Sequence, residues 1–317
     1  MTGPLSSVAP PAQDAPVADA PPLNWVDRYA PAGWRPYLRL SRADRPIGIW
    51  LLLLPGWWSL ALAASARGER LPDLWVMFLF LVGAIAMRGA GCTYNDIVDR
   101  DIDAKVARTA ARPLPSGAVT VERAFAWLIF QALAGLLVLL MLNGQAIRLG
   151  LGSIALIAIY PFLKRITYWP QVWLGLTFNW GALLGWTAAT GALGWAAIWL
   201  YLGAAFWTIG YDTIYAHQDK EDDALIGVKS TALKLAARTK FWLRAFYGLA
   251  WVFFLAAIIT ANAGFFAYVG LLFLGVHFLW QIRWLDVDLP HVCLMIFKSN
   301  RDAALLFLAG LVAGLWL

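Results

Sequence analysis

The chain has 317 residues, 61% of them hydrophobic and 14% charged, with a formal net charge of +6. A soluble globular domain carries roughly 45–50% and 25%, and no packing of a chain this size hides so much apolar surface from water, so the soluble classes are excluded. The excess of Lys and Arg needs no nucleic-acid partner, because membrane topology accounts for it, and Cys92 and Cys293 form neither a CxxC pair nor a disulfide framework.

Residues 1–24 are rich in Pro and Ala and lack a basic or continuous apolar region, so they read as a disordered tail rather than a signal peptide. Residues 25–46 interleave Trp25, Tyr29, Trp34 and Tyr37 with Arg28, Arg35, Arg39, Arg42 and Arg45. Beside a membrane segment this mixture reads as an interfacial anchor on anionic headgroups. Residues 47–317 then read as one polytopic domain. Apolar windows fall near 47–66, 71–94, 121–142, 147–163, 170–190, 196–216, 241–262, 265–283 and 303–317, which predicts about nine transmembrane helices. With no water at mid-bilayer each span must close its own backbone hydrogen bonds, so the expected fold class is an all-α integral membrane protein. Lys and Arg alternate by loop. Nineteen lie before span one and after spans two, four, six and eight, the last group being Arg283, Lys298 and Arg301, and three lie in the intervening loops. The positive-inside rule places the N-terminus in the cytoplasm and the C-terminus on the opposite side.

Two acidic stretches stand out against this background. In NDIVDRDID, residues 95–103, Asp96, Asp99 and Asp103 follow Asn95 at i, i+3 and i+7, so they share a face if the second span continues as helix. In YDTIYAHQDKEDD, residues 211–223, Asp212, Tyr215, Asp219 and Asp222 or Asp223 trace a second helical stripe. Like charges at this spacing repel, and carboxylates at membrane ends usually pair or bind something. Each stretch follows an even-numbered span and precedes a basic, glycine-containing loop, ARTAARPLPSGAV or ALIGVKSTALK. That is a weak pseudo-repeat of the kind whose sites form between halves. Mg2+ favours a few carboxylates with waters and phosphate oxygens, so paired aspartate clusters beside cationic loops suggest a Mg2+-bridged diphosphate. Zinc does not suit a set without Cys or His ligands.

These stretches resemble the two signature motifs, NDxxDxxxD and DxxYAxxDxxDD, of the UbiA superfamily of intramembrane prenyltransferases. The surrounding text, DRPIG, MRGAGCTYND, RTAARPLPSGAV, YPFLKRITYWPQ, IGVKST and FKSNRDAALL, is similar to the branch that prenylates 4-hydroxybenzoate in ubiquinone biosynthesis. The resemblance runs from about residue 40 to the C-terminus. It implies nine helices around a central cavity, capped on the cytoplasmic side by the two motifs. It further implies transfer of a polyprenyl chain from polyprenyl diphosphate to the ring carbon ortho to the phenol hydroxyl, in a bacterial or mitochondrial inner membrane. Carried over, Asn95, Asp96, Asp99 and Asp103 hold one Mg2+. Asp219 and Asp223 hold a second, supported by Asp212, Tyr215 and Asp222. Lys105, Arg108, Arg112 and Lys229 are the candidates for diphosphate, and Arg45 and Arg165 for the benzoate carboxylate. Arg88, inside span two, is expected to face the bundle interior.

Two other readings compete. In a cation-coupled transporter the aspartates would coordinate the cargo ion, but such residues usually sit near mid-membrane on broken helices. A prenyltransferase of the same superfamily could take another acceptor, such as a naphthoate or homogentisate; the YPFLKRITYWPQ and SNRDA text favours 4-hydroxybenzoate.

Overall fold

The structure, a computed structural model, describes residues 20–316 except Pro22, Ala107 and Arg108, and except the side chains of Asp222 and Ile226. Most of the tail expected at 1–24 therefore lies outside the described residues. Among the described residues every regular element is helical. The chain divides into two compact units. One comprises the described residues up to Pro46 together with Arg88–Ala132; the other comprises Ile47–Met87 with Leu133–Leu317.

In the first unit, α1 (Trp25–Tyr29) is started by Asn24, whose Oδ1 accepts from the Val26 and Asp27 amides at 3.0 and 3.2 Å, as N-cap residues do. Helix α2 (Arg35–Leu40) ends in a turn where Arg42 adopts φ 57°. The C-terminal part of α4 (Leu74–Asp103) and the N-terminal part of α5 (Val121–Leu140) complete this unit. Its small core joins Leu40, Leu114, Val119 and Ala124 to Tyr37, Ile97 and Trp127. Ser41 ties the layers together, accepting from Trp127 Nε1 at 2.9 Å and Gln131 Nε2 at 2.6 Å.

The second unit holds α3 (Ile47–Ala66), α6 (Gly144–Ile166), α7 (Pro170–Phe178), α8 (Trp180–Thr190), α9 (Trp195–Ala216), α10 (Lys220–Ile226), α11 (Thr231–Leu235), α12 (Thr239–Thr260), α13 (Phe265–Trp284) and α14 (Pro290–Ala313). Trp58 anchors its core, with ring centroids 5.2 Å from Trp207, 5.1 Å from Phe307 and 5.6 Å from Phe254. The polar edges of these rings are satisfied inside the bundle: Trp58 Nε1 donates to Ala304 O at 3.0 Å and Trp207 Nε1 to Asn300 Oδ1 at 2.8 Å. Apolar side chains pointing away from the core, such as Leu137, Leu272 and Leu279, stay exposed.

Among the described residues, six helices are long and apolar enough to cross a membrane. The window at 170–190 is instead two shorter helices, α7 and α8, broken at Asn179. There the side-chain amide turns to Gly175 O at 2.8 Å and Thr208 Oγ1 at 2.7 Å. The last helix corrects the sequence reading: it begins at Pro290, well before residue 303, so Lys298 and Arg301 lie within a helix and not in a loop. Proline suits a first helical turn because its missing N–H is one of the unpaired donors there. Asn300 then holds the middle of α14 by donating to Ile296 O and Phe297 O, each at 3.1 Å.

Candidate active site

Helix α4 is 30 residues long, about 45 Å at 1.5 Å per residue, so it runs unbroken through the first acidic stretch. Asp96, Asp99 and Asp103 consequently share one face, and all three are buried. Buried carboxylates need partners, and in the first unit guanidinium groups supply them. Arg112 Nη1 donates to Asp103 Oδ2 at 2.7 Å and approaches Asp96 Oδ1 at 3.5 Å. Arg42 Nη2 donates to the same Asp96 Oδ1 at 2.6 Å. Burial works against the Arg42 charge, but neighbouring groups, Asp96 foremost, together more than offset it, and the guanidinium pKa ends above its ordinary value. Thr109 closes the loop after α4 by donating to Asp103 O at 2.7 Å. Asn95 is half-buried beside Asp96, and Lys105 is exposed just past the helix end. Arg108 lies outside the described residues.

Arg45, an expected acceptor ligand, is half-buried and paired through Nε with Asp44 Oδ1 at 3.3 Å. Burial pushes the Asp44 carboxyl from 3.8 up to about 6, against the lowering pull of Arg42. The folded state thus holds this proton more tightly than the unfolded chain does. Stability from this group is present below the unfolded value and declines as pH rises from 3.8 to about 6. Over that window the loss is about 3 kcal/mol at 1.36 kcal/mol per unit. Asp44→Asn is expected to flatten the decline when melting temperature is followed across this range. Equal slopes in the two chains would contradict the assignment.

The second acidic stretch does not form one helical stripe. Helix α9 ends at Ala216, a 3-10 turn covers His217–Asp219, and α10 carries the remaining acidic residues. Side chains cause the break. Gln218 Nε2 donates to Tyr215 O at 3.0 Å, and the buried His217 ring bonds Thr239 Oγ1 at 3.0 Å. Burial, then the nearby Lys220 charge, pull His217 down to about 4 and leave it neutral. Asp212, Tyr215, Asp219 and Asp223 are half-buried, and Tyr215 packs on Phe297 with centroids 4.5 Å apart. Lys220 ties α10 to the turn before α14, donating to Val287 O at 3.2 Å and pairing with Asp288. That hydrogen bond and charge hold the exposed Asp288 below its usual value.

Lys229 binds the end of α6. Its amide donates to Lys164 O at 2.9 Å, its Nζ to Ile166 O at 3.1 Å, and the ammonium lies 5.5 Å from the Tyr168 ring centroid. Cations favour helix C-termini, and this contact seats Lys229, one of the diphosphate candidates, at the end of α6. Arg165 is exposed at the end of α6, and Arg88 is half-buried on α4.

Sequence reasoning missed Arg42, which it grouped with the interfacial arginines. Its partner lies 54 positions away, and no local pattern signals such a pair. Among the described residues no three His, Cys, Asp or Glu side chains converge as a ready cage. The donor chemistry nevertheless fits Mg2+. Asp96 Oδ2 is buried without a hydrogen-bond partner among the described residues, and Mg2+ completes its shell with water and phosphate oxygens rather than an all-protein cage.

The model of the UbiA prenyltransferase family matches residues 52–309. The chain is 50% identical over 283 residues to the mitochondrial 4-hydroxybenzoate polyprenyltransferase of Aedes aegypti, covering 88% of this chain but 63% of that protein. It is 49% identical over 294 residues to the protein of the same description from Bos taurus, covering 91% and 78%. A UbiA homolog from Aeropyrum pernix K1 has a similar fold, with TM-score 0.69 at 24% identity, covering 83% of this chain and 97% of that one. A UbiA homolog from Archaeoglobus fulgidus, solved bound to GPP and Mg2+, gives TM-score 0.63 at 18% identity, covering 89% and 100%.

Proposed function

This chain belongs to the UbiA prenyltransferase family, and we propose that it transfers a polyprenyl group from polyprenyl diphosphate to the ring of 4-hydroxybenzoate. The acceptor follows from the relatives, which are 4-hydroxybenzoate polyprenyltransferases at 49–50% identity. The observation that carries the chemistry is Asp96, a fully buried carboxylate with one oxygen held by guanidinium groups and the other left for a cation.

In this reading Asn95, Asp96, Asp99 and Asp103 hold one Mg2+, and Asp219 and Asp223, with Asp212, hold a second, Tyr215 and Asp222 supporting them. When bound, Mg2+ neutralises the charge of the departing diphosphate. The allylic C–O bond breaks with its electrons passing to diphosphate, the ring carbon ortho to the hydroxyl forms the new C–C bond, and the ring proton passes to a base, for which the released diphosphate and the motif aspartates are the candidates. The chain's own part is to place charge and exclude water. Arg112 orients Asp103 and Asp96 through its guanidinium, Lys105 and Arg108 add positive charge for diphosphate, and Arg45 and Arg165 are candidates for the acceptor carboxylate. An apolar bundle keeps water from capturing the allylic cation before the ring does.

We read the chain as an inner-membrane protein crossing nine times with a cytoplasmic N-terminus. Residues 25–46 lie at the lipid surface in this reading. The alternating Lys and Arg support the topology, and the mitochondrial relatives support the compartment. The acceptor is tested with protein in lipid and an equimolar mixture of 4-hydroxybenzoate, homogentisate and dihydroxynaphthoate. Product from 4-hydroxybenzoate should exceed each of the others by about 100-fold or more, as expected where an unmatched polar group penalises the wrong substrate. A dominant product from another acceptor would overturn the assignment.

A further inference from the structure

Two guanidinium groups contact Asp96, and both meet the same one of its two oxygens. Arg42 Nη2 meets Oδ1 at 2.6 Å and Arg112 Nη1 meets the same atom at 3.5 Å, while Oδ2 is buried with no hydrogen-bond partner among the described residues. Arg42 reaches this position from an unusual backbone. Its φ of 57° lies in the left-handed region, which side chains with a Cβ adopt at a cost and which tends to persist where function holds it. The same guanidinium donates Nη1 to Arg39 O at 3.1 Å, so its fork is fixed at both prongs. The residue is buried, and its charge is maintained by Asp96.

We propose that Arg42 is a positioning residue that restricts Asp96 to binding a cation through one oxygen, and thereby biases the site toward Mg2+ over Ca2+. The proposal rests on reading Asp96 as a metal ligand. Its physical basis is the difference between the two ions. Mg2+ demands a near-octahedral shell with single-oxygen carboxylate contacts, whereas Ca2+ takes six to eight oxygens and accepts both oxygens of one carboxylate. A guanidinium seated on Oδ1 blocks the second mode. Removing Arg42 also removes a positive charge, which strengthens binding of either divalent ion. The Mg2+/Ca2+ ratio cancels most of that shared effect and isolates the geometry.

The test uses the full chain in lipid nanodiscs, with Mn2+ as the probe and its free-ion resonance signal as the readout. Mg2+ and Ca2+ are then titrated against bound Mn2+ in wild type, Arg42→Gly and Arg42→Lys. Glycine relieves the left-handed strain while deleting the guanidinium, and lysine keeps a charge without the fork. The Mg2+/Ca2+ preference is expected to fall about tenfold in Arg42→Gly, the usual scale for losing a group that orients a ligand, and to fall less in Arg42→Lys. An unchanged ratio in folded Arg42→Gly overturns the proposal; if that variant does not fold, an unchanged ratio in Arg42→Lys does so. Wild type that binds no Mn2+ would overturn the metal reading itself, an outcome distinct from an unchanged ratio.

Discussion

Asp96→Asn and Asp219→Asn are each expected to lower Mg2+-dependent prenyl transfer by about a thousandfold or more, the scale of losing a principal charge-stabilising group. Asparagine keeps the shape and one acceptor oxygen but not the charge that a cation and the guanidinium groups require. The two variants should differ in stability. Asp96 is fully buried and answers Arg42 and Arg112, so neutralising it leaves uncompensated positive charge inside the protein, a change that costs about 3–5 kcal/mol. Asp219 is half-buried in a 3-10 turn, and its replacement should cost less stability than that of the fully buried Asp96. Because groups acting as a unit are not additive, the double variant should be little slower than either single one. Single-turnover transfer with folded protein checks all three, and a folded Asp219→Asn chain with wild-type turnover would contradict the role given to the second motif.

Gly310→Leu is expected to abolish accumulation of folded protein, and Gly310→Ala to lower the melting temperature. The close approach of α13 and α14 sets both effects. A Cβ placed on Gly310 would lie 2.8 Å from Gly270 Cα and 2.8 Å from Phe266 O, both backbone atoms that cannot swing aside. Small residues let membrane helices approach this closely, and packing is what holds them together where lipid is as apolar as the interface. One extra methyl in such a contact costs about 1–3 kcal/mol. A leucine has no space unless the helices separate, which would also disturb Asn300 and the Trp207 bond it accepts. Size-exclusion profiles and melting curves in detergent distinguish the two variants. A monodisperse, wild-type-like Gly310→Leu would contradict the packing.

Much of this was legible in the residues. Span 47–66 coincides with α3 because an unbroken apolar run has one solution in lipid, and Asp96, Asp99 and Asp103 share a face because their spacing matches the helical period. What escaped depended on contacts between distant residues or on competing local bonds. The 3-10 turn at His217–Asp219 arises from Gln218 and Thr239, neither of which interrupts the acidic spacing. The early start of α14 was hidden by charges at Lys298 and Arg301, which resemble a loop when counted by composition. Arg42 reads as one of five arginines before the first span, and only the fold brings it to Asp96.

The most direct test supplies the full chain in lipid with radiolabelled 4-hydroxybenzoate and a polyprenyl diphosphate, with and without Mg2+. Label entering the lipid phase in equal amount to the diphosphate released, and only when Mg2+ is present, is the predicted result. Folded protein that neither transfers label nor releases diphosphate in the presence of Mg2+ would contradict the account.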